Sequence, residues 1–283
     1  MMRTTILALF VFVLMACQPK QNPKAQVQPP HPSMVVWKNY DFKDTTLVHR
    51  PEVTEKRFST FLALLHRTKS EEWDMAVSQL LDTAYRASSV IFRHFTQLAD
   101  KYLNDPNSPF RNEEMYISSL SYMIEKEGVE EVVKQHARYQ LDMAMKNRKG
   151  TVAHNFNYLT CDNQQGSLHE VSCELILLFF YNPECDECRR VKEYMMNSSV
   201  FSYLQQSGKL KILALYPDED LLIWKRHLQE NPRSWITARF STMAESEAYH
   251  LPAIPALYLL DANKKVLLKD APIEQIETFL DGM

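Results

Sequence analysis

The chain has 283 residues, 45% of them hydrophobic and 24% charged, which is typical of one large or two ordinary globular domains. Its formal net charge of −3 argues against nucleic acid as the main partner, because phosphate binding favours a basic surface. Only five glycines are present, and neither G-x-G-x-x-G nor the P-loop pattern occurs, which excludes these nucleotide-binding motifs.

The N-terminus predicts export. Arg3 precedes an apolar run at residues 6–16 that has the length of a signal-peptide core and is too short to span a bilayer. The run ends in LMAC, residues 14–17, which resembles the lipobox of bacterial lipoproteins. The resemblance implies a signal peptide over 1–17, a lipid on Cys17 and an envelope location, facing the periplasm or at the cell surface. An ordinary cleaved signal peptide is the alternative.

A proline-rich segment and a helical region follow. Residues 18–33 contain five prolines and many polar side chains, so we expect a tether over 18–45 that holds the folded part away from the membrane. Between residues 51 and 149, apolar side chains recur at three- and four-residue steps, the period of amphipathic helices. One helix is expected from Ser70 to about residue 104, and others around 113–127 and 129–148. We therefore predict an all-α helical domain over 46–150.

The pattern changes at Thr151 to strands that alternate with helices, which predicts an α/β domain over 151–283. Two short strands, at 156–161 and 168–171, are expected on either side of a turn. The continuous apolar run at 175–181 predicts a strand that is buried on both faces. Further strands are expected at 209–216, 256–261 and 266–269. Helices are expected from the cysteines to about 206 and over 218–230, 241–250 and 272–280.

A Cys-x-x-Cys pair stands between the buried strand and the helix that follows it. A dithiol redox site needs one thiol that ionises and a second that resolves the mixed disulfide. At the first turn of a helix, the dipole stabilises the thiolate of the first cysteine, while the second lies one turn inward. We therefore interpret Cys185 as the nucleophile and Cys188 as the resolving thiol.

Two segments of this region resemble thioredoxin-like proteins. LLFFYNPECDEC, residues 177–188, is similar to their strand and active-site turn, and LPAIPALYLLD, residues 251–261, to the segment that carries a cis-proline, here Pro255. With the leading hairpin, they look most like thiol-disulfide oxidoreductases of the TlpA/ResA type over residues 151–283. The resemblance implies a thioredoxin-like fold, thiol-disulfide exchange through Cys185, Cys188 and Pro255, protein thiol or disulfide substrates, and a redox partner protein. We expect no cofactor and no metal. The helical domain resembles an uncharacterised domain that precedes thioredoxin-like domains in exported lipoproteins, and it carries no functional residue to transfer.

The chain departs from the family pattern around the cysteines. Glu184 replaces the aromatic residue that usually precedes the first cysteine. Phe179 and Val191 stand at two positions where many members carry a buried acid, which leaves Glu193 or Glu170 as candidate substitutes. These departures favour an alternative function, a non-catalytic binding or structural module with a fixed disulfide.

The two residues between the cysteines are acidic. Asp186 and Glu187 oppose thiolate formation at Cys185, and Arg189 and Arg190 partly offset them. Because a less stable thiolate favours the disulfide, we expect a reductant-type site.

The remaining cysteines and histidines leave several interpretations open. Cys161 and Cys173 form either a structural disulfide or two free thiols, and together with the Cys-x-x-Cys pair they could bind zinc, although structural zinc sites usually show two close pairs. A peroxidatic site is disfavoured because the peroxiredoxin pattern has threonine three residues before the reactive cysteine, and Asn182 stands there instead. The four histidines of this region are interpreted as surface or core residues: His154, His169, His227 and His250.

Overall fold

The structure, a computed structural model, describes residues 29–283. The predicted signal peptide, the predicted lipid site at Cys17 and the first part of the predicted tether lie outside the described residues. Within the described part, no helix combines the length and the apolar composition needed to cross a membrane.

The helical half, residues 29–147, is built from α-helices joined by short turns. Its described helices are α1 (Pro51–Leu65), α2 (Trp73–Ala87), α3 (Ser89–Ala99), α4 (Glu113–Glu125) and α5 (Glu131–Met145). The single helix expected from Ser70 to residue 104 is divided at Ser88. The backbone of Ser88 is extended, and its hydroxyl accepts a hydrogen bond from the N–H of Val90, which caps α3.

An aromatic cluster fills the core of this half. Phe95 is fully buried, and its ring centroid lies 5.1–6.2 Å from those of Trp37, Tyr40, Phe42 and Phe58. Such pairs add to the energy of burial through edge and offset contacts. Three of these rings come from the residues before α1.

The expectation of a tether over 18–45 is therefore wrong for its described second part. A 3₁₀ helix at Pro32–Trp37 and another at Thr45–His49 pack against the helical half, and Trp37 is 5% exposed. The prolines dominate the composition of this segment, but its aromatic residues bury enough apolar surface to order it.

The sheet half, residues 148–283, contains a seven-stranded mixed sheet in the order β2-β1-β5-β4-β3-β6-β7. The strands are β1 (Asn157–Thr160), β2 (Gln165–Ser167), β3 (Leu175–Phe180), β4 (Leu210–Tyr216), β5 (Ile236–Phe240), β6 (Ala256–Asp261) and β7 (Val266–Lys269). Strands β3, β4 and β5 are parallel, and the other pairings are antiparallel. The second expected strand lies at β2 instead of 168–171, because Ser167 and Glu170 form a capping box around a 3₁₀ turn.

Strand β3 lies in the middle of the sheet and places alternate side chains in two apolar layers. Leu177 and Phe179 point into the layer that contains residues of α6 (Asp186–Asn197), α7 (Ser199–Gln206) and α10 (Ile273–Asp281). Leu178 and Phe180 point into the opposite layer. Two shorter helices, α8 (Leu221–Arg226) and α9 (Met243–Ser246), complete the described α-helices. All six β3 residues are buried, as the apolar run predicted.

Charged residues at the end of β7 join the two halves. The ammonium group of Lys269, whose side chain is 8% exposed, lies 2.6 Å from Glu113 Oε1. It also donates hydrogen bonds to the carbonyl oxygens of Ala144 and Lys146, at the C-terminal end of α5. Burial raises the pKa of Glu113 and lowers that of Lys269, and the mutual attraction of the pair opposes both shifts.

Candidate active site

The two cysteines of the Cys-x-x-Cys pair lie at the end of β3, at the start of α6. Cys185 is the N-cap residue of α6, and its Sγ accepts a hydrogen bond from the backbone N–H of Cys188 at 3.2 Å. A sulfur in this position lies at the positive end of the helix dipole, which stabilises a thiolate. Cys185 is partly exposed, so this sulfur can be reached from outside.

Cys188 lies one turn further into the fold. It is 2% exposed and belongs to the apolar layer beneath α6. Burial raises the pKa of Cys188 well above its ordinary value, and the hydrogen bond with the Cys185 thiol is the second cause of the increase. The two thiols therefore differ in access, and Cys185 is the one placed for nucleophilic attack.

The loop before β6 faces the first cysteine. The Ile254–Pro255 peptide bond is cis, and Cys185 Sγ lies 3.9 Å from the carbonyl oxygen of Ile254. Pairing of Phe180 with Ala256 brings this loop beside the end of β3. The structure thus brings together Cys185, Cys188 and Pro255, which are separated by up to 70 residues in the chain.

A crystallised thioredoxin-like protein from Bacteroides caccae is 38% identical to this chain, and the match covers 92% of this chain and 96% of that one, with a TM-score of 0.83. The chain belongs to the thioredoxin-like family. The match extends over both halves, so the predicted fold class is confirmed: an all-α helical domain followed by a thioredoxin-like fold.

Other comparisons cover one half each. The C-terminal domain of an uncharacterized protein from Bacteroides fragilis is 40% identical over 48% of this chain and 99% of that one, with a TM-score of 0.47. Residues 33–147 match a family described as a domain of unknown function (DUF5106). No match was found among curated proteins.

The surroundings of Cys188 in this thioredoxin-like protein are apolar. Phe179 and Val191, at the two positions where the sequence lacks the family's acid, are buried in the same layer as Cys188. Neither candidate substitute fills the gap: Glu170 is held in its capping box by the N–H of Ser167, and Glu193 is exposed on α6. The pKa of Cys188 is therefore governed by burial.

Cys161 and Cys173 lie apart in the thioredoxin-like sheet, so, of the two interpretations left open above, the structural disulfide is wrong. Cys161 follows β1, Cys173 precedes β3, and β5 and β4 lie between these strands. Three strand spacings amount to about 14 Å, whereas the Cα atoms of a disulfide lie within about 7 Å. Both are free thiols in the structure, and Cys173 Sγ donates to the carbonyl oxygen of Gly208. The same separation contradicts the four-cysteine zinc site.

Asn182 fixes the loop that leads to the dithiol, a role that the sequence analysis missed. Its Oδ1 accepts the N–H of Glu184 at 2.9 Å, and its Nδ2 donates to Asp218, two residues after β4, at 2.7 Å. Its carbonyl oxygen accepts the N–H of Cys185. The Asn182-Pro183 dipeptide was the available signal, because asparagine before proline favours such turns.

Tyr181 and Asn231 form a buried polar contact at the edge of the apolar layer that holds Cys188. Asn231 Nδ2 donates to the Tyr181 hydroxyl at 2.7 Å, and burial raises the pKa of Tyr181 to about 12. This phenol stays protonated near neutral pH. Both residues are more than nine-tenths buried, so the contact stabilises the floor of the site and is shielded from solvent.

Proposed function

We propose that this thioredoxin-like protein is a thiol-disulfide oxidoreductase acting on protein thiols and disulfides through Cys185 and Cys188. One observation carries the proposal: Cys185 Sγ caps α6, accepts the N–H of Cys188 and faces the Ile254–Pro255 loop. This arrangement supplies an accessible thiol at a helix N-terminus with a second thiol one turn away, which is what dithiol exchange requires.

In the proposed reaction, the Cys185 thiolate attacks one sulfur of a substrate disulfide. A mixed disulfide forms, and the other substrate sulfur leaves as a thiolate that takes up a proton. Cys188 then loses its proton and attacks the Cys185 sulfur, which forms the intramolecular disulfide and releases the second substrate thiol. Two electrons pass from the dithiol to the substrate, and a redox partner protein with its own dithiol returns them.

We propose the reductant direction for this exchange. The carboxylates of Glu184, Asp186 and Glu187 lie next to Cys185 in the chain and oppose its negative charge. Arg189 and Arg190 pair with Asp186 and Glu187 at 3.1 and 2.6 Å, so the arginines are already neutralised by these acids. A thiolate with little net cationic support favours the oxidised form of the pair and a low reduction potential.

The test is a redox titration of the purified full chain. The protein is equilibrated in glutathione and dithiothreitol buffers, quenched by alkylation, and the peptide carrying Cys185 and Cys188 is read by mass spectrometry. We expect a reversible two-electron transition below about −230 mV, the range of reducing family members. Cys185→Ser should abolish it, and Cys173→Ser, a control in the opposite apolar layer, should not. A midpoint near −120 mV, typical of strong oxidants, would contradict the reductant direction.

The second candidate function is a binding or structural module with a fixed disulfide. The apolar side chains of Phe179 and Val191 favour it, because they stand where many family members carry the acid that takes the proton of the resolving thiol. In the same titration, a disulfide that resists reduction at all potentials supports this candidate and contradicts the oxidoreductase.

We also propose that Cys17 carries the lipid that anchors the chain to an envelope membrane, facing the periplasm or the cell surface. The support is the signal-peptide pattern and the LMAC sequence at its end. Fatty-acid labelling of the chain in cells tests it: Cys17→Ser should lose the label and the membrane association, whereas Cys173→Ser should keep both.

A further inference from the structure

A chain of charged side chains runs from the active-site loop to the segment after α8. Arg226 donates to Glu184 Oε1 at 3.3 Å, and His227 Nε2 lies 3.9 Å from the same oxygen. On its other side, His227 Nδ1 lies 2.6 Å from Glu230 Oε1. Glu230 Oε2 lies 3.8 Å from Lys192 Nζ on α6. We name these five residues the rim network.

The rim network is attached to the nucleophile through Glu184, which precedes Cys185 in the chain. The backbone of Glu184 is fixed by the hydrogen bond from its N–H to Asn182. The carboxylate is directed toward Arg226 and His227, and half of it stays exposed. A change of charge at His227 therefore acts 3.9 Å from the carboxylate of Glu184, the residue that precedes Cys185 in the chain.

The charges of the rim network balance when His227 is neutral, because Glu184 and Glu230 oppose Arg226 and Lys192. When His227 takes up a proton, the network gains one positive charge. Histidine is the side chain that titrates nearest to neutral pH, and positive charge near a cysteine stabilises its thiolate. The hydrogen bond from His227 also holds the pKa of Glu230 below its ordinary value, so this carboxylate stays charged.

We propose that His227 is a positioning residue of the dithiol site, which holds Glu184 and whose proton raises the fraction of Cys185 that is present as thiolate. Among the described residues, three further titratable or charged groups face the network. Arg189 acts on Glu230 and pairs with Asp186 on its own helix. Burial raises the pKa of Tyr216, and Glu184 adds to this increase. Burial also raises the pKa of Tyr181, and Glu230 adds to that increase. His227 is 22% exposed and its partners are more exposed, so we expect an effect of about threefold. The inference deepens the proposed function, but its test does not depend on redox cycling.

The test measures how fast iodoacetamide alkylates Cys185 in the reduced full chain between pH 5.5 and 9, read on the Cys185 peptide by mass spectrometry. We expect His227→Gln to react about threefold more slowly than the wild type at pH 6 and equally fast at pH 8.5. His227→Lys, with a permanent charge, should react about threefold faster at pH 8.5. The control His136→Gln, exposed on α5, should follow the wild-type profile.

A second comparison uses Glu184→Gln, which removes the carboxylate that links His227 to the active-site loop. We expect this variant to react faster than the wild type, and we expect His227→Gln to have a smaller effect in its background. A His227→Gln profile that overlays the wild type, or that falls equally at pH 6 and 8.5, overturns the inference. If the profiles differ as expected but the disulfide never cycles, the inference stands and the proposed function fails.

Discussion

The helical half and the surroundings of the dithiol use carboxylates in opposite ways. In the helical half, Asp100 accepts a hydrogen bond from the buried Tyr116, and Asp82 and Glu55 accept from Tyr122 and Tyr102. Around Cys188, the side chains are apolar, and the nearby acids lie at the surface.

This difference shows that the chain uses carboxylates as hydrogen-bond acceptors for tyrosines where they tie helices together. The apolar environment of Cys188 is therefore a local property of the site. Phe179 and Val191 stand where many family members carry the acid, so burial is the main control on the ionisation of Cys188. The acid that does act on this thiol, Glu187, is paired with Arg190 at the surface.

The largest effect is expected at the boundary of the two regions, where Lys269 meets Glu113. Lys269→Ala leaves Glu113 buried without its partner and removes the donor to the end of α5, which should lower the free energy of unfolding by about 3–5 kcal/mol. Urea denaturation measures the loss. The control Lys265→Ala changes an exposed lysine nearby and should have little effect. Equal losses in the two variants would contradict a structural role for the ion pair.

The hydroxyl of Tyr116 tests the tyrosine–carboxylate hydrogen bonds of the helical half. It is 3% exposed and donates to Asp100 Oδ1 at 2.7 Å. Tyr116→Phe should cost about 2 kcal/mol, the range for hydrogen bonds to charged groups. Thermal and urea denaturation check the value. A loss of stability smaller than that of Tyr181→Phe, the matching variant beside the dithiol, would contradict the difference between the two regions.

The matching change beside the dithiol is Tyr181→Phe. The hydroxyl of Tyr181 bonds to the neutral amide of Asn231, so its loss should cost about 1 kcal/mol. The midpoint of the redox titration should stay unchanged, because Tyr181 is protonated near neutral pH. A shifted midpoint would instead assign Tyr181 a direct role in the exchange.

The smallest effect concerns pH. A hydrogen bond from Lys101 holds the pKa of Glu55 below its ordinary value, although burial acts in the opposite direction. The stability from this carboxylate is therefore present above its unfolded pKa and is lost as pH falls through the folded pKa. Because Lys101 is mostly exposed, Glu55→Gln should cost under about 1 kcal/mol at pH 7 and almost nothing at pH 3.

Urea midpoints of Glu55→Gln at the two pH values test this sign, with Glu125→Gln, exposed on α4, as the control. Equal costs at pH 7 and pH 3 would show that the loss arises from packing. The contribution of Glu113 to stability depends on pH in the opposite way, because burial raises the pKa of this carboxyl. That contribution is present below the unfolded pKa and is lost as pH rises through the folded pKa.

Local patterns predicted those parts of the molecule that depend on neighbours in the chain. The run at 175–181 predicted the buried β3, and the two-residue spacer predicted Cys185 at a helix start with Cys188 one turn inward. Strand β5 was missed, because Ile236–Phe240 is short and includes polar residues that only the pairing with β4 and β1 orders.

The rim network could not be predicted either, because it also depends on contacts between residues that are distant in the chain. Glu184 and Arg226 are 42 residues apart, and α8, which ends at Arg226, is only six residues long. No spacing in the sequence indicates such a pair. His227 was interpreted as a surface or core residue, and its place between two carboxylates depends on how the loop after α8 folds back to the dithiol.

The separation of Cys161 from Cys173 means that a disulfide between them can report whether the chain was oxidised before or after it folded. In the folded molecule, two strands stand between these free thiols, so a covalent bond between them can form only while the sheet is open. In an oxidising compartment, a cross-linked peptide containing both residues would therefore mark molecules that were oxidised before the sheet closed. The yield of that peptide counts misfolded copies directly.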